Sequence, residues 1–186
     1  MTNTILNYLT NSSAITYIVL ALLSVYLIIT LWIFLYRYFS ISASIKNEEK
    51  SLESLTSRET IFSPLSALNK CANNSSSKEL LTACELNIIK EASVGISWLA
   101  IISSTSPFIG LFGTVVGILE SFAKFSDHSK VAFSVIAPAI SEALVATAAG
   151  IFVAIFAYTF HQILVRKLFE LNTYIKAQSQ ILIAKG

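Results

Sequence analysis

The segment that decides the fold is VAFSVIAPAISEALVATAAGIFVAIFAYTFHQILV, residues 131–165. It holds one charge, Glu142, between the flanking Lys130 and Arg166. A run this long and this apolar predicts a membrane-spanning helix. At ~1.5 Å per residue it would reach about 52 Å, more than the ~30 Å hydrocarbon core, so it should project beyond the bilayer. A carboxylate at the centre of a span costs roughly 2.5–3.5 kcal/mol on insertion scales, and such residues mark functional sites by default. Glu142 is therefore the first candidate functional residue. The plainer alternative is a structural glutamate that hydrogen-bonds a neighbouring helix.

At about 100° per residue, Val131, Val135, Pro138, Ala139, Glu142, Val145, Ala146, Ala149 and Val153 share one face. That face is apolar around a single carboxylate. Thr147 lies about 140° around the helix from Glu142. It is expected to meet a neighbouring helix or an edge of the same cavity.

Two further uncharged runs lie upstream, which gives three expected spans: 15–36, 98–119 and 131–165. The first reads ITYIVLALLSVYLIITLWIFLY. It lacks the basic leader and short apolar core of a cleaved signal peptide, so a retained span is expected. Its faces are uniformly large and apolar, which predicts contact with lipid and no chemistry. Trp32, Tyr36, Tyr38 and Arg37 form an interfacial belt at its end.

The remaining parts are a short outer segment (1–14), an inner helical loop (37–97), a short outer link (120–130) and an inner C-terminal helix (166–186). Lys and Arg number seven in the loop, four in the tail and two in the outer link, with none before the first span. The positive-inside rule then places the N-terminus outside and the C-terminus in the cytoplasm.

The second span carries a stripe of small and hydroxylic residues: Ser103, Ser106, Gly110, Gly113, Thr114, Gly117 and Ser121. Membrane helices place such residues where another helix approaches closely. Phe108, Leu111, Val115 and Ile118 occupy the other side, and Pro107 is expected to kink the helix. Close packing alone would explain the stripe, and Thr114 could bond back to its own helix.

Within the loop, Leu52, Leu55, Leu65 and Leu68 recur at helical spacing. Ser76 and Glu79 fit a capping box that opens a helix with Leu80, Leu81, Cys84, Ile88 and Ala92 on one stripe. That helix could run straight into the second span. Cys71 and Cys84 would face a reducing compartment and are expected to be ordinary thiols. After Arg166, Leu164, Leu168, Leu171, Ile175, Gln178 and Leu182 suit helix-on-helix packing.

The composition, 54% hydrophobic and 13% charged, is that of an integral membrane protein. A net charge of +2 gives no support for a nucleic-acid partner. No nucleophile sits with a base, and no phosphate loop, cofactor motif or metal-ligand cluster is present, so an ordinary enzyme is not expected. A lone membrane carboxylate can relay protons, bind a cation with help from other chains, or pair with a base on another helix. A chain this small has no internal transporter repeat. A homo-oligomer with Glu142 facing a central cavity is therefore expected.

Two motifs on consecutive spans, GLFGTVVGI (110–118) and APAISEALVATAAGI (137–151), resemble the proton-channel family of ExbB, TolQ and MotA. Three spans and an outward N-terminus are similar to the ExbB and TolQ branches; MotA has four spans. The resemblance implies an all-α membrane protein assembled as a homopentameric ring in the bacterial inner membrane. It implies a single-span partner of the ExbD or TolR kind bearing a membrane aspartate, and a periplasm-spanning protein of the TonB or TolA kind. By the same motifs Thr114, Glu142 and Thr147 would form the proton pathway. Gly110, Gly113, Gly117, Pro138, Ala146 and Ala149 would face the pore or pack beside it. Ala139 stands where the family commonly has Gly, and Val116 where it commonly has Trp.

The function expected is that of a proton-conducting subunit coupling the proton-motive force to the outer membrane, in a TonB-ExbB-ExbD or Tol-Pal type system. A cation or solute transporter subunit and a structural membrane scaffold are the alternatives.

Overall fold

The computed structural model describes residues 14–56, 66–72, 77–125 and 133–185. Among these, five helices and no strands occur: α1 (Ala14–Thr56), α2 (Ala67–Ala72), α3 (Lys78–Ser93), α4 (Ile96–Phe125) and α5 (Phe133–Lys185). Three of them, α1, α4 and α5, are long and apolar enough to cross a membrane. At 43, 30 and 53 residues they exceed the ~20 that a bilayer core needs. Helices are what such sequences must form in lipid, because every backbone polar group is then satisfied within its own segment. Residues 1–13 of the expected outer segment, residues 126–130 of the outer link, Leu65 and Ser76 fall outside the described residues.

The chain divides into two compact units. The first comprises residues up to Leu31 together with Trp98–Thr159. Its core joins Val19 and Leu23 of α1, Ile102 of α4, and Ala146, Val153 and Ala157 of α5. The first span is therefore not purely lipid-facing. Thr16, Val19, Leu23 and Thr30 are buried along one side of α1, while Ile18, Val25 and Ile28 are exposed. The expectation fails because both sides of α1 are apolar. Lipid and protein interior select the same residues, so hydrophobicity cannot tell them apart.

The second unit comprises Trp32–Ser97 and Phe160–Gly186. Ile41, Ile45, Leu55, Leu68, Leu81, Leu164, Leu171 and Ile175 are buried in it. The C-terminal stripe reads as the spacing suggested: Leu164, Leu171, Ile175 and Gln178 are buried. Phe34 and Phe160 stack with ring centroids 4.0 Å apart.

Helix α3 does not continue into the second span. Gly95 breaks it with φ +87°, a left-handed conformation that glycine adopts without strain. A Cβ there would lie 3.6 Å from Nε of Arg37, whose Nη1 reaches the carbonyl of Glu91 at 3.5 Å. A basic side chain thus sits at the C-terminal end of α3, where a cation is favoured. The expected capping box is also corrected. The N-cap residue of α3 is Ser77, which makes no side-chain capping bond; only its carbonyl is engaged, by the amide of Leu81 at 3.0 Å.

The ordinary thiols expected at Cys71 and Cys84 are overturned. The two form a disulfide with their Cα atoms 5.8 Å apart. Helix α2 packs against α3 and brings the residues to the separation a disulfide needs. Their spacing of 13 residues in sequence carried no sign of this.

Candidate functional site

The small-residue stripe of α4 is an interface within the chain. Ser106, Gly110, Gly113, Thr114 and Gly117 are all buried. The approach of α5 is closest at two glycines. A Cβ on Gly110 would lie 2.6 Å from the carbonyl oxygen of Ala146 and 3.0 Å from Cα of Thr147. A Cβ on Gly150 would lie 2.5 Å from the carbonyl oxygen of Ser106 and 3.1 Å from Cα of Gly110. The two backbones are in direct contact, which only paired glycines permit. Gly113 faces Val19 of α1 and Ala146 of α5, with a hypothetical Cβ at 3.0 and 3.2 Å from them. Gly117 faces Ala143 more loosely, at 3.3 Å.

This closeness places two hydroxyls together. Thr114 of α4 is 7% exposed, and its Oγ1 is hydrogen-bonded to Oγ1 of Thr147 on α5. The same oxygen lies 3.0 Å from the carbonyl of Ala143 and 3.2 Å from that of Gly110. Carbonyls only accept, so the single proton of Thr114 goes to them. Thr147 must then donate to Thr114, giving a directed chain from Thr147 through Thr114 to Ala143. The back-bond of Thr114 to its own helix, at 3.2 Å, is the longer of the two carbonyl contacts. The cross-helix role dominates.

Glu142 precedes Ala143 on α5. It is half-buried, and its Oε1 is buried with no hydrogen-bonding partner among the described residues. A buried carboxylate oxygen with nothing to accept from is costly, so among the described residues Oε1 of Glu142 keeps its accepting capacity for a further group. Glu142 does not belong to the hydroxyl pair; Thr147, around the helix from it, does.

The other predicted residues divide. Ala146 is fully buried at the α4 contact, Ala149 is half-buried against the core, and Pro138 is exposed. Gly110, Gly113, Gly117 and Ala146 thus serve packing. Pro107 and Pro138 lie inside continuous helices, α4 and α5. Phe108, Leu111 and Val115 of α4, and Leu144, Val145, Ile151, Phe152 and Ile155 of α5, are exposed large apolar residues. Sequence reading missed Gly150 as the counterpart of Gly110, and missed Thr16 and Thr30 of α1. Gly150 was legible as the small residue four positions after Ala146; the threonines were hidden in a uniformly apolar span. No group of three or more metal-ligating side chains occurs among the described residues.

The three apolar helices make the chain a multi-pass membrane protein. Residues 53–177 match the model of the MotA/TolQ/ExbB proton channel family. A biopolymer transport protein described as ExbB-like, from Helicobacter pylori, is 42% identical over the full length of both chains. A Tol-Pal system protein TolQ of Haemophilus influenzae is 39% identical over 97 residues, half of this chain and 42% of that one. A biopolymer transport protein ExbB of Pseudomonas putida is 39% identical over 95 residues, half of this chain and 29% of that one. The match extends beyond the two motif-bearing spans, and by its extent the chain belongs to the MotA/TolQ/ExbB proton channel family.

Proposed function

We propose that this chain is the proton-conducting subunit of an inner-membrane motor that couples the proton-motive force to the outer membrane, in a TonB-ExbB-ExbD or Tol-Pal type system. The observation that carries this is the buried Oε1 of Glu142, unpartnered among the described residues, on a membrane-crossing helix. A carboxylate so placed is matched to taking up and releasing a proton when a partner group arrives. A proton crossing the membrane releases about 2.3 kcal/mol per 100 mV.

In this reading Glu142 carries the proton, and Thr114 and Thr147 form the polar lining beside it. The chain is a homopentamer around a single-span partner of the ExbD or TolR kind, whose membrane aspartate meets Glu142. A TonB- or TolA-like protein transmits the work. The large apolar residues exposed on α4 and α5 suit contact with lipid and with further copies. The distribution of Lys and Arg supports an outward N-terminus and a cytoplasmic loop and tail.

The test is proton uptake and energised activity of Glu142→Gln, Glu142→Asp and Glu142→Ala, with assembly of the complex checked for each. We expect Glu142→Gln and Glu142→Ala to assemble and conduct no protons, and Glu142→Asp to retain part of the activity. Full activity of Glu142→Gln would rule out a proton-carrying carboxylate.

A further inference from the structure

We infer that the Cys71–Cys84 disulfide is an exchangeable redox site that sets how firmly α2 is held to α1 and α5. The inference goes beyond the proton-channel reading and borrows from it only the inward placement of the loop.

The two sulfurs differ in access. Cys71 is exposed on α2, whereas Cys84 of α3 is 2% exposed. Cys71 therefore presents the exposed end of the bond to an incoming thiolate, and Cys84 the buried end. Attack at Cys71 makes Cys84 the leaving group, and the buried thiolate then takes a proton. Two cysteines in an inward-facing loop that form a bond are of the kind that cycles, because structural disulfides do not persist in a reducing compartment.

The bond matters because of what else α2 touches. Helix α2 has six residues, too few for stability alone. It is held at its start by Glu48 of α1, which is 1% exposed. Oε1 of Glu48 accepts the amide of Ala67 at 2.6 Å, and Oε2 accepts the hydroxyl of Ser66 at 2.9 Å. Oε2 also accepts Nε2 of Gln178 from α5, again at 2.9 Å, and the same nitrogen donates to the carbonyl of Glu48 at 2.8 Å. At its other end α2 is tied to α3 by the disulfide. One short helix therefore links a thiol chemistry to a buried carboxylate that α1 and α5 share.

The reductant is a dithiol. Its first thiolate bonds to Sγ of Cys71 as the Cys71–Cys84 bond breaks; its second thiolate then displaces Cys71. The products are two protein thiols and an oxidised dithiol, two electrons having passed to the protein.

The test equilibrates the full-length protein in membranes, without denaturant, in oxidised or reduced dithiothreitol. Each sample is then acid-quenched and its free thiols are counted with a maleimide mass tag in denaturant, so that the buried Cys84 is tagged as readily as Cys71; amide hydrogen exchange is followed separately over residues 66–72. We expect two added tags on reduction, none after reoxidation, and protection over 66–72 lowered by about tenfold or more in the reduced form. Cys71→Ser, at an exposed position, should reproduce the lowered protection in both buffers.

Two tags in every buffer would show that the bond does not form, and no tags unless the reduction itself is run in denaturant would show a purely structural crosslink; either overturns the inference. Reversible reduction with unchanged exchange over 66–72 overturns the link to Glu48. The side of the loop is read separately, by a membrane-impermeant maleimide on reduced right-side-out and inverted vesicles. Labelling of Cys71 from the outer face would overturn the proposed topology, while the tag counts decide the exchange chemistry.

Discussion

The hydroxyl of Thr147 on α5 donates to the hydroxyl of Thr114 on α4, across a contact in which Gly110 and Gly150 bring the two backbones together. The hydrogen-bonded pair and the glycine pair depend on each other, since a threonine hydroxyl extends only one bond beyond Cβ.

Replacing Thr114 by Val keeps the shape and removes the acceptor that Thr147 uses. In a membrane interior the loss should be about 0.5–2 kcal/mol of stability. Thr114→Ser should retain the bond. Thermal unfolding in detergent and proton uptake in vesicles, measured on both variants, separate a packing role from a conducting one. A fold-stable Thr114→Val with lost uptake assigns the hydroxyl to the pathway.

Gly110→Ala and Gly150→Ala should be the most damaging single-methyl changes in the spans. The added Cβ would meet backbone oxygen at 2.6 and 2.5 Å, and backbone cannot rotate away as a side chain can. Overpacking of this sort costs about 1–3 kcal/mol or more. Gly117→Ala, whose nearest neighbour is the Ala143 Cβ at 3.3 Å, should cost less than either. Yields of folded protein by size-exclusion chromatography and melting temperatures would rank the three.

Glu48→Ala leaves the Ala67 amide, the Ser66 hydroxyl and the Gln178 amide without their common acceptor. We expect about 3 kcal/mol or more of lost stability. Gln178→Leu removes one donor and leaves the other two in place, so it should cost less. Chemical denaturation of the two variants, followed by tryptophan fluorescence and proteolysis after the loop, checks the order.

Gly95→Ala places a Cβ at φ +87° and should cost about 1–2 kcal/mol through backbone strain. Gly95→Asn should cost less, since Asn visits positive φ more readily. A continuous α3–α4 helix in the Ala variant would show as altered protection of the amides around residues 93–97 in hydrogen exchange.

Three membrane-crossing helices, the small-residue face of α4, the C-terminal apolar stripe and the singular position of Glu142 were legible in the sequence. Each rests on composition and periodicity, which a bilayer enforces residue by residue: charges are excluded, and small residues gather where helices touch. Family membership was legible for the same reason, because the two motifs lie in the close contact where few residues fit.

Only the tertiary structure decided which partner each face meets. The packing of α1 through Thr16, Val19 and Leu23, the pairing of Gly110 with Gly150, and the direction of the Thr147–Thr114 bond depend on helix approach, which periodicity does not encode. The Cys71–Cys84 bond and the cluster of Glu48, Ser66 and Gln178 join residues 13, 18 and 130 apart, and no local pattern announces contacts at such separations. Short-range chemistry sets what each helix is; the fit of one surface against another sets where its polar groups find partners, and leaves Oε1 of Glu142 without one among the described residues.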